Sequence, residues 1–345
     1  MDTNYVCPYC RHELTDFSFC YFCSYCKINW PLVSGIPRFA KNELSYSVFR
    51  SDVAGKVTEL AEQKSWQEAI DTYSNTVGTY TLGYIKNESR ADWHIILPLD
   101  QNATVLDIGS GWGNIAISLS RWCKLVYCCD VNMINLRLLR ARLRDRNISN
   151  VAAFQYEPNA FLHLPFRDSS IDVALLNGVL EWIGAADIEA SPGRIQLEAL
   201  KEIRRILKPG GALYIGIENR YSLSTLCGQR MHGELPFVGL LPRMISNLIT
   251  KMITGKPHRT YIYTLFGYRR LLSRAGFVNT DFYIPYPSYH DPNYLIPLKE
   301  CWIKRYWLEK LLGGRTMKYR LAQYLRMSWL PFHWLAYSYG IKCTK

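Results

Sequence analysis

The sequence predicts an α/β protein built on a mainly parallel sheet and preceded by a small cysteine-rich ribbon. Three observations carry this expectation. Strand-then-helix patterns repeat between residues 104 and 146, a glycine-rich turn directly follows the first of those strands, and five of the eleven cysteines fall within the first 26 residues. Alternating strands and helices are the signature of a parallel sheet, because a parallel return needs a crossover.

The ribbon comes first in the chain. Cys7-Pro8-Tyr9-Cys10 and Cys23-Ser24-Tyr25-Cys26 are two C-x-x-C knuckles. Each presents two thiolates from one tight turn, and together they close a tetrahedral Zn²⁺ shell around a segment too short to have its own core. Cys20 also forms a C-x-x-C pair with Cys23. Cys7, Cys10, Cys23 and Cys26 are the expected ligands, because residues 30–37 then read as the closing strand and turn, leaving Cys20 as a spare thiol. Four protein ligands leave no open position, so the expected role of the metal is structural.

With 345 residues, 48% of them hydrophobic, the chain has enough apolar material for a sizeable core, which excludes whole-chain disorder. No apolar run reaches the roughly 18 residues of a spanning helix, and the first residues lack the basic-then-apolar pattern of a signal peptide. The expected location is the cytoplasm, where scattered cysteines serve as small buried hydrophobes rather than disulfide partners.

Residues 56–75 have helical composition and are expected to lead into the main domain. Residues 104–108 form a short β-branched run ending at Gly109, and 115–122 carry helical spacing. Residues 125–129 and 133–146 repeat the pair. Residues 151–155 and 171–176 continue the strands, and 194–207 form a helix stopped by Lys208-Pro209-Gly210-Gly211. Residues 212–217 are a further strand. Residues 265–275 make a helix closed by Gly276, and 277–284 the last expected strand.

Ligands of open parallel sheets bind at the carboxyl ends of the strands. The first strand ends in Asp107-Ile108-Gly109-Ser110-Gly111-Trp112-Gly113, where glycines let the backbone approach a ligand. The second ends in Asp130, whose carboxylate can accept hydrogen bonds from ribose hydroxyls. A glycine turn followed about twenty residues later by an acid also suits dinucleotides. Here Asn114 stands where the third glycine of G-x-G-x-x-G would be, which favours a nucleoside ligand without a bound pyrophosphate.

The chain resembles the class I S-adenosylmethionine-dependent methyltransferases over roughly residues 90–285. The resemblance rests on four ordered segments: Val105–Gly113, Asp130, Leu164-Pro165-Phe166-Arg167-Asp168-Ser169-Ser170-Ile171-Asp172, and residues 202–211 ending in Lys208-Pro209-Gly210-Gly211. It implies a Rossmann-like seven-stranded, mostly parallel sheet with helices on both faces and an antiparallel last strand. It also implies S-adenosylmethionine as cofactor. Asp107, Gly109, Gly111 and Gly113 would surround its methionine part, with Asp130 on the ribose, Asn159 or Glu157 on the adenine side, and Asn177 facing the sulfonium and substrate. The cysteine segment resembles the small zinc ribbons that accompany methyltransferases.

The expected organisation is a zinc ribbon at 1–40, a helical linker or cap at 41–89, and a methyltransferase domain at 90–288. Within that domain an insertion at 219–263 is a candidate substrate lid, and a basic aromatic extension follows at 289–345. The insertion offers His232, His258 and Tyr221 as weak candidates for a base, needed only if the acceptor is a hydroxyl or a poor nitrogen nucleophile. Its apolar stretch from Met244 to Ile253 suits a lid or an interfacial segment. Of the formal charge of +12, the tail from Lys299 carries +8, with ten Lys or Arg against Glu300 and Glu309 interleaved with tryptophans and tyrosines. Cations among aromatics suit a membrane interface or a nucleic acid.

The leading expectation is methyl transfer to a small, sugar-containing or lipid-linked acceptor, with peripheral contact at the inner face of the membrane through the C-terminal extension. One alternative is an rRNA or tRNA methyltransferase, although the chain reads Leu176-Asn177-Gly178-Val179 where base-amine methylation calls for an N-P-P-Y-like tetrad. Another, of a different class, is a cofactor-binding zinc-ribbon scaffold without catalysis.

Overall fold

The computed structural model describes residues 4–40, 51–157, 163–187, 189–230, 232, 235–299 and 334–345. The chain divides into two compact units. The first comprises Met1–Leu176, Glu198–Leu213 and Lys345, and the second Asn177–Leu197 and Tyr214–Thr344.

The first unit opens with the ribbon, whose strands are β1 (Thr15–Phe17), β2 (Cys20–Cys23), β3 (Ile28–Val33) and β4 (Ile36–Phe39), paired in antiparallel succession. Helices α1 (Ser51–Gln63), α2 (Trp66–Thr72), α3 (Ser74–Val77) and α4 (Thr79–Lys86) follow, then a 3₁₀ segment at Ser89–Ile96. The expected helical region is thus divided, with Ser65 capping α2 by accepting the Glu68 N–H. Val57, Ala61, Ile70 and Ile85 from these helices pack with Trp112, Leu138 and Ala141 in one buried cluster.

The parallel core consists of β5 (Thr104–Ile108), β6 (Leu125–Asp130), β7 (Val151–Tyr156) and β8 (Ile171–Asn177), with α5 (Asn114–Leu119) and α6 (Met133–Asp145) as crossovers. Strand β5 pairs in parallel with β6 and β8, and β6 with β7. Val105, Leu106, Ile108, Val173, Leu175 and Leu176 are all buried, as expected where both faces of a parallel sheet are covered. Asn132 starts α6 by accepting the Ile134 N–H.

The ribbon shares this sheet. Strand β4 pairs in parallel with β7 through Arg38 and Phe39, and the Tyr5 ring lies against Phe39, Phe154, Tyr127 and Phe166 at centroid distances of 5.2, 5.6, 5.6 and 5.9 Å. The ribbon therefore has apolar as well as cysteine anchors.

Helix α7 (Pro192–Ile206) and strand β9 (Leu207–Glu218) each run from one unit into the other. The helix ends at Ile206, and the following Lys-Pro-Gly-Gly run is taken into β9.

The second unit contains α8 (Leu223–Leu226), α9 (Arg243–Thr254) and α10 (Leu265–Ala275), then β10 (Val278–Ser288), β11 (Asp291–Pro297) and β12 (Ser338–Thr344). Its strand order is β9-β12-β10-β11, and β10 is antiparallel to both β11 and β12.

The seven-stranded expectation is corrected by these strands: twelve are described, in mixed orientation. The four ribbon strands join through β4, and β11 adds a hairpin. Strand β12 comes from the far end of the chain, within the segment expected to be a basic extension. Residues 300–333 of that extension lie outside the described residues, as do residues 41–50 of the expected linker. Among the described residues, no helix is long and apolar enough to cross a membrane.

Candidate functional site

The turn after β5 is built by left-handed backbone at Gly109 (φ 71°), Gly111 (φ 53°) and Gly113 (φ 80°). The Gly109 and Ser110 N–H groups donate to Cys129 O, at 2.8 and 3.0 Å, fixing the turn to the end of β6. The glycines have different tasks. A Cβ on Gly111 would meet nothing within 4 Å, so that face of the turn is open to a ligand. A Cβ on Gly113 would stand 2.1 Å from Leu139 Cδ1, so this glycine admits α6. Asn114, which breaks the dinucleotide pattern, donates from Nδ2 to Tyr84 O at 2.6 Å and accepts from buried Arg142 at 2.6 Å, tying α4 to the start of α5.

Two buried carboxylates lie on the strands that lead to this turn, Asp107 in β5 and Asp130 at the end of β6. Asp130 Oδ2 accepts the Gly111 N–H at 2.9 Å, while its Oδ1 accepts the Asn132 N–H at 2.8 Å and Asn135 Nδ2 at 3.2 Å. A carboxylate has about four acceptor sites, so the remaining one is on Oδ2, enough for one ribose hydroxyl without displacing Gly111. Asp107 Oδ2 and Ser110 Oγ are buried without a hydrogen-bond partner. Burial pushes the Asp107 carboxyl up to about 7, opposed by Arg90 and assisted by the Asp130 charge. Burial also raises Asp130, opposed by the N–H groups of Asn132 and Gly111. Orphaned acceptors beside an open glycine suit a cationic nucleoside, so these residues fit S-adenosylmethionine.

Asn177, at the end of β8, belongs to the second unit. Its amide atoms are buried and unpartnered, and Gly216 admits it, since a Cβ there would stand 2.0 Å from Asn177 Oδ1. Asn159 lies outside the described residues.

The three base candidates separate. Tyr221 is exposed, beneath the Arg220 guanidinium at 5.5 Å. His258 and His232 line one small cavity with Thr225, Gln229, Phe237 and Thr260. His232 Nε2 lies 3.7 Å from Glu218 Oε2. Glu218 and Glu181 are buried together, and burial and the Glu218 charge hold the Glu181 carboxyl well above the usual carboxylate range. Tyr289 donates to Glu218 Oε1 at 3.0 Å. Sequence reasoning missed Glu181. Its signal was an acid flanked by Leu180 and Trp182 four residues beyond a buried strand.

In the ribbon, the sulfurs of Cys7, Cys10, Cys23 and Cys26 all lie within 4.8 Å of one another. The Cys10–Cys23 and Cys7–Cys26 separations are 3.4 and 4.0 Å. Cys20 is outside the group, with its thiol toward Asn29 Oδ1 at 3.8 Å.

Residues 106–215 match the family model described as a methyltransferase domain. The chain is 29% identical over 192 residues to the ubiquinone/menaquinone biosynthesis C-methyltransferase UbiE of Cellvibrio japonicus, covering 52% of this chain and 68% of that protein. It is 28% identical over 137 residues to the tRNA N(3)-cytidine methyltransferase METTL2 of Mus musculus, covering 35% and 30%. An uncharacterised protein of Methanocaldococcus jannaschii is 36% identical over 120 residues, of which the chain spans 42%. The chain thus spans less than half of two of these three relatives. A phosphoethanolamine N-methyltransferase of Haemonchus contortus aligns with a TM-score of 0.45 at 16% identity, covering 83% of this chain and 49% of that one. The matched residues 106–215 hold the glycine turn, Asp107 and Asp130, so it is this stretch of the chain that is similar to a methyltransferase domain.

Proposed function

We propose that the whole chain transfers the methyl group of S-adenosylmethionine to a lipid-linked or sugar-containing acceptor at a membrane surface. The methyl-transfer part is supported by the orphaned Asp107 oxygen in β5, by the open face of Gly111 in the turn that follows, and by Asp130 offering an acceptor toward a ribose. The bound cofactor supplies an electrophilic methyl carbon on a sulfonium. The protein's contribution is to bind it, to align the acceptor in line with the departing sulfur and to exclude water, and orientation provides much of the acceleration. Asp107 offers negative charge to the cationic methionine part, and Asp130 offers an acceptor to the ribose. The scaffold alternative is disfavoured by how completely the glycine turn and both carboxylates are formed.

The observation that carries the acceptor class is the outer face of α9. Met244 is 86% exposed, Met252 77% and Leu248 60%, with Ile245 and Ile253 also exposed. From Leu235 to Thr280 the sequence contains seven Lys or Arg and no Asp or Glu. An apolar stripe in a purely basic segment is the composition of a helix lying in an anionic lipid interface. Apolar exposure of this kind has no partner on an RNA phosphate backbone, and the Cellvibrio relative named for ubiquinone/menaquinone biosynthesis is consistent with an apolar acceptor. Membrane contact through the C-terminal extension is proposed alongside it, since Trp334, the first described residue after 299, is exposed. In the ribbon, the four clustered thiols fit a structural Zn²⁺, whose tetrahedral shell they would complete.

The test is transfer of labelled methyl from S-adenosylmethionine into fractionated cell extract. Label in the lipid fraction is expected; label confined to RNA would replace this reading with the RNA one. In parallel, Leu248→Asp with Met252→Asp is expected to abolish sedimentation with vesicles containing phosphatidylserine. Unchanged sedimentation would remove α9 from the membrane.

A further inference from the structure

We infer that Glu181, Glu218 and His232 form a divalent-cation site in the second unit, separate from the cysteine ribbon. One oxygen of each carboxylate and one imidazole nitrogen all lie within 4.8 Å of one another. Glu181 is fully buried and Glu218 is 4% exposed. Both Glu181 oxygens, Glu218 Oε2 and His232 Nε2 are buried without a hydrogen-bond partner. Among the described residues, neither glutamate has a Lys or Arg at ion-pair distance. Two carboxylates withdrawn from water together are costly unless a positive charge or protons compensate them. Three donors that share one point and have no other partner call for a single small cation.

The surroundings are arranged for this. Tyr289 holds Glu218 by its Oε1, leaving Oε2 for the shared point, in the way outer-shell partners orient metal ligands. Gly178 makes room for that tyrosine, because a Cβ there would stand 2.9 Å from its hydroxyl oxygen. The Trp182 ring meets His232 edge-on at 4.8 Å and fixes the imidazole. Glu218 ends β9 and Glu181 follows β8, so the cluster occupies the carboxyl ends of two strands, the ligand-binding end of an α/β sheet.

The chemistry of the donors selects the ion. Two carboxylates and one imidazole suit Mn²⁺, Fe²⁺ or Zn²⁺ rather than the soft ions that prefer thiolates. Donors bound to one such ion at about 2.0–2.2 Å lie roughly 3–4 Å apart, close to the 3.7 Å between His232 Nε2 and Glu218 Oε2. A substrate ammonium would donate to the same three atoms from about 2.8 Å and hold them roughly 4.6 Å apart, wider than the 3.7 Å between His232 Nε2 and Glu218 Oε2. Three protein ligands leave positions open for an oxygen of the acceptor. That last step rests on the methyl-transfer reading; the ion site itself does not.

The test uses the full chain and Mn²⁺ alone, counting bound ion by electron paramagnetic resonance and elemental analysis. Wild type is expected to take up one Mn²⁺ per chain, with affinity reduced at least about tenfold in Glu218→Gln and in His232→Ala. Tyr289→Phe, which keeps every ligand, is expected to weaken uptake by a smaller factor. No saturable uptake by wild type, or equal uptake by Glu218→Gln and His232→Ala when both melt as wild type does, would overturn the site. S-adenosylmethionine affinity is measured on the same samples. Cofactor binding without Mn²⁺ uptake would defeat the ion site alone, and Mn²⁺ uptake without cofactor binding would defeat the methyl-transfer reading alone.

Discussion

Gly111 donates its backbone N–H to Asp130 Oδ2 at 2.9 Å, so the open glycine of the turn after β5 is held by the acid that ends β6. The same carboxylate therefore shapes the turn and offers the ribose contact. Asp130→Ala removes both at once. S-adenosylmethionine affinity measured by calorimetry is expected to fall about 10- to 100-fold, the range for losing a charge-assisted hydrogen bond. Asp130→Asn keeps the shape and one acceptor, so it should lose less. Undiminished binding by Asp130→Ala would refute the placement of the ribose.

Asp107 makes cofactor binding dependent on pH. Its folded pKa of about 7 lies above its ordinary value of 3.8 because the carboxyl is buried. Between those two values the folded protein holds a proton that the unfolded chain has released, so stability falls as pH rises through this window and the full penalty remains above 7. A cationic ligand beside Asp107 reverses the effect of burial and expels the proton. Calorimetry in buffers of different ionisation heat should show close to one proton released on S-adenosylmethionine binding at pH 6, and almost none at pH 8.5. Asp107→Asn should remove the difference, and equal heats across buffers at pH 6 would contradict it.

The two glycines at 111 and 113 should fail differently. Both have positive φ, which costs a side chain about 1–2 kcal/mol. At Gly113 the added methyl also strikes Leu139, and overpacking adds about 1–3 kcal/mol. Urea denaturation is expected to show Gly113→Ala the less stable of the two, with part of the deficit recovered when Leu139→Ala is added. Gly111→Ala should lose cofactor affinity instead, because its methyl enters the open face. Equal stabilities would mean that Leu139 moves aside freely.

The parts legible in the sequence were those governed by local rules. The runs at 104–108, 125–130, 151–156 and 171–177 are largely buried, and their apolar stretches read as strands of a covered parallel sheet. Strand β12 was hidden because its Lys342, with Lys345 just after it, joined a basic tail. Its alternation of Tyr339, Ile341 and Cys343, all fully buried, was the available signal. The Glu181–Glu218 cluster was hidden for another reason. It joins residues 37 positions apart, and nothing local in either stretch requires the other. Gly113 was legible as a glycine but not in its role, since only the packed helix shows that Leu139 occupies the space.

A Zn²⁺ held by the four ribbon thiols, as proposed, would act on the parallel strands through β4, which pairs with β7. Cys7→Ser removes one of four clustered sulfurs, and structural zinc sites contribute folding energy directly. The variant is expected to lose its thiolate-bound metal, read with Co²⁺ as the disappearance of the sulfur charge-transfer band. It should also melt at a lower temperature, because loosening β3 and β4 exposes the aromatic packing around Tyr5. Cys20→Ser should keep both the band and the melting temperature, its thiol being outside the four-sulfur group and turned toward Asn29. A chelator strong enough to strip the wild type should reproduce the Cys7→Ser melt without shifting that variant further. If Cys20→Ser lost the band and Cys7→Ser kept it, the four-sulfur assignment would have to be redrawn around Cys20.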